Sequence, residues 1–124
     1  VNYSATVRDH FHNPRHAYRM ADPDRVGVAG VPGRGPFMLI FLRLDGERIE
    51  EASFQTYGCP PAIAAASLLV ESLSGSTLEA AEGWTDEARI RAALGGLPAH
   101  KHHCARLAAE AVASALATAE QERS

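Results

Sequence analysis

Apolar and polar positions along this chain switch between helical and strand periods, and each switch marks an element. Tyr3, Val7 and Phe11 recur at i, i+4 and i+8, one stripe of a short amphipathic helix over residues 3–12 that Pro14 ends. From Asn13 to Gly35 the periodicity is lost among prolines and glycines, so this stretch is expected to be a mobile loop with one short strand near Val26 to Val28. Phe37 to Leu44 is then a dense apolar run, followed by Asp45-Gly46, a dipeptide favoured in tight hairpin turns. Beyond it Glu51, Ser53 and Gln55 alternate with Ala52, Phe54 and Thr56, which gives the strand Ile49 to Tyr57 one solvated and one buried face. The two runs predict a β-hairpin.

Tyr57 to Ala66 carries the chain from strand to helix. Gly58 loosens the backbone, Cys59 follows, and Pro60-Pro61 fill a first helical turn, where missing N–H groups cost nothing. This helix runs to about Ser74, small on one side (Ala62, Ala64, Ala65, Ala66) and bulky on the other (Ile63, Leu68, Leu69, Leu73), with Gly75 as its stop. Ser76-Thr77-Leu78-Glu79 caps a second short helix to about Glu82, and Thr85-Asp86-Glu87 opens a third that fades at Gly95-Gly96; both read as surface elements. After the linker Leu97-Pro98-Ala99, a stripe of Cys104, Leu107, Ala108, Ala111, Val112, Ala115, Leu116 and Ala119 predicts a long core-facing helix.

Composition narrows the class. At 124 residues with 46% hydrophobic content, the chain can bury one core and not two, so residues 1–124 are expected to form a single domain. A net charge of −3, from 12 basic against 15 acidic residues, leaves no electrostatic footprint for nucleic acid or an anionic membrane. The apolar run Phe37 to Leu42 is far too short to span a bilayer, and Val1-Asn2-Tyr3-Ser4 does not resemble a signal peptide, which points to a cytoplasmic protein. Two cysteines make no disulfide framework, and beside six histidines they make metal binding worth weighing.

Both cysteines fall at helix starts, Cys59 before Pro60 and Cys104 after His103. There the helix dipole and unpaired N–H groups favour a thiolate. If these ends meet, Cys59, His103 and Cys104 supply three ligands suited to zinc or iron-sulfur chemistry and ill suited to magnesium or calcium. A fourth position stays open, with His102 and His100 as the nearest candidates. A plain packing role for either cysteine stands beside this reading, since Cys104 lies on the apolar stripe. So does a thiol enzyme with Cys59 as nucleophile and His103 as base, although no oxyanion donors or orienting residue can be picked out. His10, His12 and His16 read as surface or capping residues.

Asp9-His10, Asn13-Pro14-Arg15, Gly30-Val31-Pro32, Phe54-Gln55-Thr56-Tyr57-Gly58-Cys59, Ala62-Ile63-Ala64, Ser67, Leu97-Pro98, Lys101 and His103-Cys104 together resemble the U-type iron-sulfur cluster scaffold family, that is, IscU and the N-terminal domain of NifU. The resemblance covers about Tyr3 to Ala119. It implies an α+β fold, a three-stranded antiparallel sheet with helices packed on one face and the ligands at one end. It also implies a scaffold rather than an enzyme, which builds a 2Fe-2S cluster from iron and from sulfur handed over by a cysteine desulfurase. By this resemblance Cys59, His103 and Cys104 fall on the second cysteine, the histidine and the last cysteine of the family site.

The chain departs from the family at two ligands. Arg34 stands where the family has its first cysteine and Pro36 where it has an aspartate, and neither side chain offers a lone pair to a metal. Arg34, with Lys101, would instead add positive charge near the thiolates, or point to solvent. Iron, a cluster shared between two chains of a homo-oligomer, or zinc all remain open as cargo, as does a degenerate scaffold acting as a regulatory or interaction protein. Ala99 and His100 replace a proline and a valine of the family's chaperone-recognition stretch, which argues against docking of an Hsp70-type chaperone. The double substitution Arg34→Cys with Pro36→Asp is expected to raise the cluster binding or stability of protein reconstituted anaerobically with iron and sulfide, read from visible absorption; no gain would mean that Arg34 and Pro36 do not correspond to the family's ligand positions, or that the fold has drifted.

Overall fold

A computed structural model describes residues 2–123, with side-chain surroundings for residues 2–117. In order, the elements are α1 (Ala5–His12), β1 (Arg25–Gly30), β2 (Phe37–Asp45), β3 (Arg48–Tyr57), α2 (Pro60–Leu73), α3 (Leu78–Ala81), a 3-10 turn (Glu82–Thr85), α4 (Glu87–Ala93), a second 3-10 turn (Ala99–Lys101) and α5 (His102–Arg123). The strands form one antiparallel sheet in the order β1-β2-β3, with α2 against β3 and α5 against β1 and β2. This is the expected α+β arrangement. The segment read as loop holds a strand longer than the one near Val26 to Val28, because its partner β2 reaches from Phe37 opposite Gly30 to Leu42 opposite Arg25. Ala119 of the apolar stripe lies outside the described side chains.

Register decides which side chains face the helices. Met38, Ile40 and Leu42 on β2, Ala29 on β1, and Ala52 and Phe54 on β3 are all buried on one face. Strict alternation would place Ile49 on the opposite face, with Ser53. The ladder shifts between Arg43 and Leu44, so that Arg43 pairs with Glu51 but Leu44 pairs with Ile49, and Glu50 is the extra residue. That bulge turns Ile49 inward, where it is fully buried, and leaves Glu50 exposed. The hairpin turn falls one residue later than Asp45-Gly46: Asp45 pairs with Arg48, and Gly46 takes the first central position with φ 62°.

The other face of the sheet is not simply solvated. Phe41 and Ser53, paired across β2 and β3, are both buried, as is Met20 in the segment between α1 and β1. That segment is tied down there. Tyr18 hydroxyl donates to Glu51, Arg43 donates to the carbonyl of Ala21, and the Phe54 N–H donates to the carbonyl of His16 at 3.0 Å. The outer edge of β3 is covered further along by Ser74 to Ser76.

Helix α2 is buried on nearly every side, and not only on its bulky one: its alanines, Ser67, Leu68, Leu69, Val70 and Leu73 are all inside, and only Glu71 is fully exposed. The short helices also reach inward, through Leu78, Ala81, Ile90 and Leu94, which corrects their reading as surface elements. A second correction concerns α1. His12 and His16 are exposed as expected, but His10 is only 5% exposed and its Nδ1 lies 2.7 Å from Ser67 Oγ. Ser67 Oγ also accepts the Arg15 N–H at 2.9 Å, which leaves its own hydroxyl proton for His10 Nδ1, while the ring Nε2 faces Glu71 at 3.8 Å.

A Cβ at Gly27 would sit 2.0 Å from the Ala111 carbonyl oxygen and 2.7 Å from the Ala115 nitrogen, all backbone of α5. Gly27→Ala is therefore expected to cost about 3 kcal/mol in a urea titration, since helix and strand must separate. Burial and the Arg15 charge hold His10 below the ordinary histidine value of 6.5, with Glu71 and Asp9 opposing. The folded state keeps His10 neutral while the unfolded chain takes up a proton near that value. Stability is then complete above about pH 6.5 and falls below it by up to about 1.4 kcal/mol per pH unit. Urea midpoints measured across this range should show that loss in the parent, and a weaker one in His10→Gln.

Candidate functional site

The site forms where two helix starts meet at one end of the sheet. β3 ends at Tyr57, paired with Phe37, and two residues later Cys59 is the N-cap of α2 with Pro60 and Pro61 behind it. On the other side the 3-10 turn Ala99–Lys101, closed by the Lys101 N–H on the Pro98 carbonyl at 2.8 Å, feeds directly into α5. His103 and Cys104 thus lie in the first turn of α5, His103 exposed and Cys104 buried on the face turned to the core.

The three side chains converge. Cys59 Sγ is 3.2 Å from Cys104 Sγ, His103 Nε2 is 3.6 Å from Cys104 Sγ, and the three donor atoms all lie within 4.8 Å of one another. An ion held tetrahedrally at about 2.3 Å from sulfur and about 2.0 Å from nitrogen separates two sulfurs by about 3.8 Å and a sulfur from a nitrogen by about 3.5 Å. The distance from His103 to Cys104 already fits, while Cys59 must move away from Cys104 for an ion to enter. The donor set suits zinc or iron and not magnesium or calcium. Among the described residues no further cysteine, histidine or carboxylate joins the group. A cavity of about 130 Å³ adjoins it, walled by Pro36, Ala62, Lys101 and Leu107.

Electrostatics here differ from the simple helix-start expectation. Pro60 and Pro61 carry no N–H, and the Ala62 N–H is taken by the Cys59 carbonyl at 2.9 Å, so α2 offers its dipole but no early donor to a thiolate. Burial, reinforced by the neighbouring Cys59, pushes the Cys104 thiol up to about 12, and the charge of Lys101 only partly opposes this. Desolvation outweighs the helix end. Without a metal Cys104 is a protonated thiol.

The remaining sequence candidates separate. Lys101 lines the cavity. His102 is spent on the backbone, its Nε2 3.0 Å from the Leu97 carbonyl oxygen, and His100 is exposed in the 3-10 turn outside the donor group. Arg34 is exposed in a turn closed by its own N–H on the Val31 carbonyl at 2.9 Å, whereas Pro36, two residues on, reaches the cavity wall. His103 Nε2 bonds Cys104 rather than Cys59, which does not match a nucleophile-base pair between Cys59 and His103. Leu107 was legible as a core residue of the α5 stripe; that it walls the cavity depends on how α5 crosses α2.

With the geometry in hand, similarity to known proteins is extensive. The chain matches the NifU-like N terminal domain family over residues 2–124. It is 45% identical over 114 residues to an iron-sulfur cluster assembly scaffold protein IscU of Archaeoglobus fulgidus, covering 92% of this chain and 74% of that protein. To the iron-sulfur cluster assembly scaffold protein IscU of Azotobacter vinelandii it is 40% identical over 118 residues, covering 92% and 91%. Its fold is similar to that of the N-terminal NifU-like protein of Brucella abortus, with a TM-score of 0.76 at 15% identity over 96% of this chain and 94% of that one.

The two thiols should differ sharply in reactivity. Iodoacetamide at pH 8 is expected to label half-exposed Cys59 first, with Cys104 protected until the chain is denatured, as read by peptide mass mapping. Equal labelling of both in the folded protein would contradict the burial of Cys104.

Proposed function

The chain belongs to the NifU-like N-terminal domain family, and on that premise we propose that it works in iron-sulfur cluster assembly as a scaffold that takes its metal cargo at Cys59, His103 and Cys104. The observation that carries this reading is the convergence of those three donors within 4.8 Å beside a cavity. Relatives named as iron-sulfur cluster assembly scaffold proteins support it at 40–45% identity. Each residue has a part. Cys104 anchors the cargo from the buried side, Cys59 from the α2 cap, and His103 closes the exposed rim, where cargo enters and leaves.

Iron, a 2Fe-2S cluster or zinc is then cargo rather than a resident cofactor, and the protein assembles and passes it on without turning over a substrate of its own. A cysteine desulfurase is the sulfur source this role requires. The absence of a ligand at Arg34 and Pro36 favours a second reading, a scaffold-fold protein that binds such partners but holds no cluster. Anaerobic reconstitution with iron and sulfide, followed by iron analysis, separates them. Cargo binding that is lost in Cys59→Ser and Cys104→Ser supports the scaffold, and a colourless, metal-free protein that still captures a desulfurase supports the second reading.

A further inference from the structure

We infer that His102 is a positioning residue: the bond from its ring to the Leu97 carbonyl sets the direction from which His103 reaches the two sulfurs. The inference rests on the metal-binding reading above and gives the placement of one donor to a residue outside the donor group. The acceptor is fixed first. Gly95 and Gly96 end α4 with their N–H groups on the carbonyls of Ala92 at 3.0 Å and Arg91 at 2.8 Å, and the Leu94 carbonyl accepts from Ser4 Oγ, which ties this end to the start of α1. Leu97 follows and packs against the core, so its carbonyl is presented from an anchored residue.

The start of α5 is held less firmly. Pro98 opens the 3-10 turn without a side-chain cap, and the turn's backbone bonds, the Lys101 N–H on Pro98 at 2.8 Å and the His102 N–H on Ala99, close within it. Burial grips α5 from Cys104 onward, through Cys104, Ala105 and Ala108, and leaves His103 exposed. His102 Nε2, 3.0 Å from the Leu97 carbonyl oxygen, bridges the anchored segment and the helix start. Because a carbonyl only accepts, Nε2 carries the ring proton. Successive side chains leave a helix about 100° apart, so a His102 ring tied toward Leu97 prescribes the direction of His103, whose Nε2 lies 3.6 Å from Cys104 Sγ. A donor set has to be held to within about 0.5 Å by its surroundings, and for the exposed His103 that precision comes from the turn.

Cobalt(II) binding and the metal-free chain test this by separate readouts. In the full chain His102→Leu is expected to weaken cobalt binding about tenfold in competition with a chelator, and His102→Gln, whose amide nitrogen can donate to the same carbonyl, should restore it. In a His103→Ala background His102→Leu should change the affinity no further, because the ring it positions is gone. Without metal, the imidazole nitrogen NMR shifts of His103, which report its bond to Cys104, should move toward those of a solvated ring in His102→Leu and keep the parent values in His102→Gln. A parent-like affinity in His102→Leu, or the same loss with His103 absent, overturns the inference and leaves the metal-binding reading standing. An equal loss in His102→Leu and His102→Gln overturns it as well, since the bond to Leu97 is then not what acts. If the parent does not load cobalt, the metal-binding reading falls, and the ring shifts alone decide whether His102 places His103.

Discussion

Close approach of α5 to β1 at Gly27 sets the depth at which the long helix lies, and much else depends on that depth. The Ala111 carbonyl and the Ala115 backbone occupy the space a side chain at Gly27 would need. The small residues Ala105, Ala108, Ala111 and Ala115 then bury along the same face of α5. Ser114 on the next turn caps the Val28 N–H at 3.0 Å, which holds the helix in register with the strand as well as against it. Cys104 begins this face, so the packing that buries the alanines also carries the thiol to within 3.2 Å of Cys59. The alanine richness of α5 is thus a means of positioning.

The second support is polar and sits at the other side of α2. His10 and Ser67 join α1 to α2 inside the protein, with the Arg15 backbone as third partner and the Asp9–Arg15–Glu71 charges around the rim. A buried imidazole must keep its proton count to keep these bonds, so this joint is specific and sensitive to acid. It also explains why Ser67 lies in the middle of an otherwise apolar helix. With β3, α1 and α5 around it, α2 has little freedom to shift, and its cap Cys59 inherits that rigidity.

What results is a firmly held group of three donor side chains. Two sulfurs and one nitrogen converge while the facing loop offers proline where a donor could stand and turns Arg34 outward. Desolvation makes Cys104 a poor thiolate by itself, so the thiol gives up its proton only in exchange for something that bonds sulfur strongly.

Local patterns were enough to reveal the hairpin, α1, α2 and the core face of α5, because apolar periodicity depends only on neighbours along the chain. They also placed Cys59, His103 and Cys104 at the starts of helices, and the motif pattern named the family. Several features were not local. Ile49 faces the core only because a bulge at Glu50 answers the register of β2. His10 is buried only because α2 brings Ser67 to it, and His102 is withdrawn from the donor group by a bond to Leu97 that no spacing reveals. The sequence by itself determined which elements form and which donor atoms are available. Tertiary structure alone decided which donors meet, how far burial raises a thiol, and that Lys101 rather than Arg34 lines the cavity, since distance and desolvation arise only when segments far apart in the chain pack together.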